Sequence, residues 1–233
     1  MTVVHGDGFV AEIIRSSKRT SIAIKINKGM VYIMVPDHLN GVTIELLVAK
    51  KSRWIKEKLA FQKEIFEIKP KEFIAGEVFS YLGKNHVLKI ASGSYPLLSL
   101  YEDELIASVR NKSIDNSKTI KKLLIKWYKQ QAQLIMVEKT QHYAQIIGVT
   151  PSAVVIKSFR SRWGSCSIKS LIQYNWKIIM APEPIINYLV IHELCHILQH
   201  NHSPAFWKTV EKYCPNYKEQ GTWLKLNGAK LEI

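Results

Sequence analysis

His192 and His196 stand four residues apart, with Glu193 beside the first, in the run His192-Glu193-Leu194-Cys195-His196. No other run constrains the fold as much. In an α-helix, residues four apart share one face and lie about 6 Å apart along the axis. Two imidazoles so placed converge on one metal ion at ~2.0–2.1 Å each. Glu193 lies about 100° round from His192, too close for an easy third ligand, yet able to reach a water at the metal as a general base. The flanks agree with a helix. Ala181-Pro182-Glu183-Pro184 is a start signal, because proline is tolerated in a first turn, and the helix is predicted to run to about Gln199.

A catalytic zinc needs a third protein ligand and an open position. His200 keeps the four-residue spacing, but it lies eight residues beyond His192. That is about 12 Å of helix rise, which one ion cannot bridge. The helix must therefore break before the third ligand returns. Asn201 suits a left-handed helix end, and Ser203-Pro204 opens another helix that stops before Pro215. His202, in that turn, ranks first as third ligand, with Glu211 on the next helix second. His200 is then a substrate contact or a surface histidine.

Upstream, the periodicity changes twice. Ile22, Ile24 and Ile26, then Val31, Ile33 and Val35, alternate with other residues around Asn27-Lys28-Gly29, which predicts a hairpin that Pro36 ends. From about Val42, the residues Ile44, Leu47, Val48, Trp54, Ile55 and Leu59 fit one helical face, and lysines occupy the other. Lys69-Pro70-Lys71 separates this helix from strand-like runs near 78–82, 86–90, 97–100 and 105–109. A long helix follows Asp115-Asn116-Ser117, with Ile120, Leu123, Leu124, Trp127, Ile135 and Val137 inward and Gly148 at its end. Ala153–Ile156 and Leu171–Met180 read as strands around a loop, the second an edge strand beside the metal helix. No internal repeat is visible. The expected fold is α+β, with a β-rich region over 1–112 and a helical domain carrying the metal site over 113–233.

Charge narrows the partners less than it first suggests. The 233 residues carry a net +14, but residues 186–233 contribute only +1 and the remainder +13. A mostly solvated basic surface is the simpler reading, with steering of an acidic partner or nucleic acid as the other. Three scattered cysteines form no disulfide framework. No run approaches the ~18 apolar residues that cross a bilayer, and 1–9 lacks a signal-peptide pattern, so a cytoplasmic chain is expected.

The loop Arg162-Trp163-Gly164-Ser165-Cys166-Ser167 is dense in special residues, and Gly164 there is expected to supply a positive φ. Together with Asn175-Trp176, the helix motif, Asn201-His202-Ser203-Pro204 and Phe206-Trp207, it resembles the YgjP-like zinc metallopeptidase family. That family is related to the WLM and SprT-like peptidases of the zincin superfamily. The resemblance is strong over about 155–215 and weaker upstream.

The resemblance implies a minimal zincin domain with one zinc ion per chain, held by His192, His196 and His202, with Glu193 catalytic. The reaction implied is hydrolysis of peptide bonds, in a peptide or unfolded protein, by a metal-activated water. Arg162, Tyr174, Asn175 and His200 are candidate substrate or transition-state contacts, and the oxyanion donor stays open among Arg162, His200, Tyr213 and Tyr217. Two alternatives remain at this point. One is hydrolysis of a non-peptide substrate such as a nucleotide phosphoanhydride. The other is a basic nucleic-acid-associated protein with a zinc site.

Overall fold

Four two-residue turns shape the β-structure in the computed structural model, which describes residues 2–66, 69–111 and 115–233. The architecture is mixed α+β, as expected. The chain divides into two compact units, Met1–Lys69 and Pro70–Ile233, inside the Lys69-Pro70-Lys71 stretch. The expected junction at 112/113 lies outside the described residues.

The first unit is a four-stranded sheet followed by a helix. Its elements are β1 (Thr2–Gly6), β2 (Phe9–Ser16), β3 (Ala23–Asn27), β4 (Met30–Pro36) and α1 (Gly41–Phe66). The strand order is β1-β2-β4-β3, with β2 and β4 parallel and both outer pairs antiparallel. Lys28 and Gly29 take φ of 49° and 76°, the backbone of a turn whose twist matches its strands. Val31, Ile33 and Val35 bury one face of β4 against Ile44, Val48 and Ile55 of α1. Asn40 Oδ1 accepts from Thr43 N–H at 2.8 Å and caps the helix start.

The second unit begins by repeating this plan. β5 (Val78–Tyr81), β6 (Lys84–Ser92), β7 (Leu97–Tyr101) and β8 (Glu104–Val109) order as β5-β6-β8-β7, again with a parallel pair inside two antiparallel ones. A long helix, α2 (Ser117–Ile147), follows as α1 follows the first sheet. So one topology occurs twice although no repeat is visible in the sequence. Hairpins need only a turn and an alternation, which unrelated residues supply equally well. Along α2, Ile120, Leu124, Tyr128, Ala132, Met136, Thr140 and Ala144 form the buried line. Val137, expected inward, lies beside it and is half-buried. Gly148 ends the helix at φ 81°.

A third sheet lies beside the site. β9 (Ala153–Lys157), β10 (Gly164–Cys166) and β11 (Leu171–Asn175) order as β10-β11-β9. This corrects two expectations. The strand predicted over 171–180 stops at Asn175, whose side chain accepts from Lys177 N–H and starts a 3-10 turn over Trp176–Met180. And β11 is the central strand, while the short β10 is an edge. Three helices complete the unit: α3 (Glu183–Leu198), α4 (Pro204–Tyr213) and α5 (Tyr217–Asn227). α3 is buried almost all round, with Ile186, Val190 and Leu194 fully covered. Among the described residues, no helix is long and apolar enough to cross a membrane.

Candidate metal centre

The end of α3 sets the geometry. The helix stops at Leu198, and Gln199 takes an extended backbone with φ −141° and ψ 102°. The end falls within one residue of the expected stop near Gln199, and Asn201, expected as a left-handed helix end, lies beyond the break. This break turns the Gln199 carbonyl toward the ring of His196, whose Nδ1–H donates to it at 3.1 Å. A carbonyl can only accept, so Nδ1 carries the proton and Nε2 keeps its lone pair for a metal. Ser203 then starts α4 by accepting from Phe206 N–H at 3.3 Å, with Pro204 in the first turn. His202 sits in the connection between the two helices.

His192, His196 and His202 each offer a ring nitrogen, and these atoms lie within 4.8 Å of one another. His192 Nε2 and His202 Nε2 are 3.1 Å apart. Tetrahedral bonds of ~2.0–2.1 Å to one zinc would set two such nitrogens about 3.3 Å apart. The residues therefore fit the metal, and three imidazoles are a donor set that suits zinc. His202 is exposed, which leaves an open side to the cluster.

The rings are held by other aromatic groups. Phe206 stacks on His196 with centroids 4.4 Å apart, and Trp207 stacks on His202 at 5.4 Å. Tyr217 backs Trp207 at 5.3 Å, and Tyr188 meets His192 edge-on at 5.8 Å. A cleft of about 630 Å3 opens from His192 and His202 toward Gly221 and Lys225 of α5, with Trp163 and Tyr188 in its walls.

Burial also sets the protonation. It pushes His192 down to about 3, helped by the neighbouring His196 and His202. It lowers His196 as well, against the opposing Gln199 hydrogen bond. Both imidazoles are thus neutral at ordinary pH, the form that binds metal. Glu193 is 4% exposed. Burial pushes its carboxyl up to about 8, and the charge of Arg162 works in the other direction.

Gly164 of β10 lies against that carboxyl group. A Cβ there would stand 2.4 Å from Glu193 Oε1 and 2.7 Å from Cδ. Its φ is not positive, so the reason expected for this glycine is replaced by another. What position 164 requires is the absence of a side chain, so that the strand can approach the glutamate.

The other expected contacts separate. Arg162 is exposed, its guanidinium 4.9 Å above the Phe159 ring and close enough to act on Glu193. Tyr174 has no exposed surface, and its hydroxyl lies 3.1 Å from Thr140 Oγ1. Asn175 is buried, and its Nδ2 donates to the carbonyls of Phe159 and Arg162. Tyr174 and Asn175 therefore hold the scaffold and the arginine loop and do not line the cleft. Adjacent residues of a strand point to opposite faces, and at this end of β11 both faces are covered.

His200 is exposed and outside the triad, as is Glu211 on α4. The three cysteines are free, and burial pushes the thiol of Cys195 up to about 12. The Gln199 carbonyl and the clearance at Gly164 are missing from the sequence reading. The first has no side-chain signal, and the second shows only as an unexplained glycine.

A family model described as "YgjP-like, metallopeptidase domain" matches residues 20–227. The crystal structure of the metallopeptidase zymogen of Pyrococcus abyssi abylysin is similar over 39% of this chain and 94% of that one, at 27% identity and a TM-score of 0.36. No curated protein matches the chain.

Proposed function

The chain belongs to the YgjP-like metallopeptidase family, and from that premise we propose that it hydrolyses peptide bonds in extended polypeptide with one zinc ion held by His192, His196 and His202. In this reading Glu193 is the general base. The observation that carries it is the meeting of three imidazole nitrogens within 4.8 Å, beside the buried carboxyl of Glu193. Zinc bound there supplies Lewis acidity to the peptide carbonyl and to the attacking water.

The rest falls to the protein's own residues. Glu193 takes the proton of the attacking water and passes it to the leaving amine. Its burial, which raises its affinity for a proton, suits that work near neutral pH. Gly164 leaves the carboxyl group room to lie against β10. The Gln199 carbonyl holds His196 in one tautomer, and the stacked Phe206 and Trp207 keep two rings in place. β10 offers the edge to which an extended substrate can pair, the part expected of 171–180. Arg162, whose charge acts on Glu193, is the substrate contact we retain from the expected set.

A Glu193→Gln chain tests the reading. It should bind zinc as the wild type does, about one ion per chain, and lose cleavage of an unfolded protein such as reduced casein. Full cleavage by that variant would overturn the role of Glu193. Wild-type protein that takes up no zinc at neutral pH would overturn the site itself.

A further inference from the structure

A second groove lies wholly within the first unit, along β3, an outer strand of its sheet. Asn27 and Met30 flank a two-residue turn and exchange both ladder bonds, so the alternation of an antiparallel pair directs Lys25 and Ala23 to β4 as well. Ile24 and Ile26 then turn their N–H and C=O groups to the open side. The end near the turn is already occupied. Gln62 of α1 donates from Nε2 to the Ile26 carbonyl at 2.9 Å and accepts at Oε1 from Gly29 N–H at 3.1 Å. The side-chain amide takes the Ile26 carbonyl, which another strand would otherwise pair with. Among the described residues, the edge groups of Ile24 have no such stand-in.

Beside this open stretch is a cavity of about 280 Å3 lined by Ile22, Ile24, Leu47, Lys51 and Trp54. Trp54 is 41% exposed, a large apolar surface to leave in water. Leu47, Lys51, Trp54 and Lys58 follow one another at helical spacing along α1. No acidic side chain lines the cavity. An open strand edge, an apolar trough and a helix with cations above it are the parts of a strand-addition site.

We infer that this groove binds an extended, acidic polypeptide segment. The segment's backbone pairs with Ile24, and the side chains on its α1-facing side, every second residue, alternate between apolar groups that enter the trough against Leu47 and Trp54 and carboxylates that meet Lys51 and Lys58. The groove offers one aromatic side chain and a row of backbone groups. A single nucleic-acid strand asks instead for several stacking surfaces and a track of cations.

The test uses the full chain carrying Glu193→Gln, so that binding is read without cleavage. The probe is a fluorescein-labelled peptide in which valine and glutamate alternate at every second position, with threonine between them. Binding is expected, with a shifted Ile24 amide resonance. Trp54→Ala and Lys51→Glu should each weaken binding at least about tenfold. The same peptide N-methylated at alternate residues should not bind. Both altered residues are on the surface, so retained thermal stability separates lost binding from lost folding. Three results would each overturn the proposal: no binding by the folded chain, binding that neither substitution weakens, or displacement of the peptide by an unstructured oligonucleotide of equal length. None of them bears on zinc or on Glu193.

Discussion

Replacing Gly164 with alanine adds a single methyl group at the most crowded point of the centre. The methyl would stand 2.4 Å from Glu193 Oε1, where ordinary contact begins at 3.4 Å. About 1 Å of movement must come from somewhere, the difference between those two distances. β10 cannot easily supply it, because Gly164 is paired with Tyr174 of β11, whose side chain is fully buried. Glu193 is the freer group, and it moves within a pocket that leaves it 4% exposed. Misplacing a catalytic group by about 1 Å lowers a rate about 100-fold, equivalent to about 2.7 kcal/mol of transition-state stabilisation.

Overpacking lowers stability by about 1–3 kcal/mol, partly offset because alanine restricts the unfolded chain more than glycine does. The histidines are untouched, so zinc content should hold. The assay is kcat/KM on a quenched fluorescent peptide, with zinc measured on the same sample. A folded, zinc-bound Gly164→Ala protein within about twofold of wild type would refute the reasoning.

Other perturbations probe different parts. His192 has its folded-state pKa depressed from 6.5 to about 3, so it contributes stability that is present above 6.5 and lost as pH falls toward 3. Glu193 has its value raised from 4.5 to about 8, so its contribution is full below 4.5 and is lost as pH rises toward 8. Denaturant melts of the metal-free protein should therefore show two opposed slopes. Glu193→Gln should remove the one that falls with rising pH; a profile unchanged by that substitution would contradict the assignment. Ser203→Ala removes the cap of α4 directly after His202 and should lower stability by about 1 kcal/mol and weaken zinc affinity, as competition with a chromophoric chelator would show. Unaltered affinity would mean that the turn holds its shape without the cap.

The sequence made the centre legible because its chemistry is local. Two histidines four apart, a proline-opened helix and Ser203-Pro204 each act over one or two turns, and the structure places them as those rules imply. Strand positions from 78 to 109 were legible for the same reason, since hairpins are local. What escaped was non-local. β1 and β2 carry a weak alternation, with Val4 and Ala11 alone buried below a tenth of their surface. The role of β11 depends on what pairs on each side of it, and no window along the chain contains that information. Tyr174 and Asn175 had the chemistry of contacts, but the fold turned them inward.

The bond from His196 to the Gln199 carbonyl uses an atom that every amino acid has. The glutamine side chain contributes nothing to it, so position 199 can change its identity and keep its task. What cannot change is the backbone path: a residue that carried α3 on for another turn would draw that carbonyl back into the helix and leave the imidazole free to rotate. The requirement at this point is one of shape and not of side-chain identity. An engineer who transplants the four named side chains onto a longer, straighter helix should expect to lose the orientation of one ligand without having altered any of them.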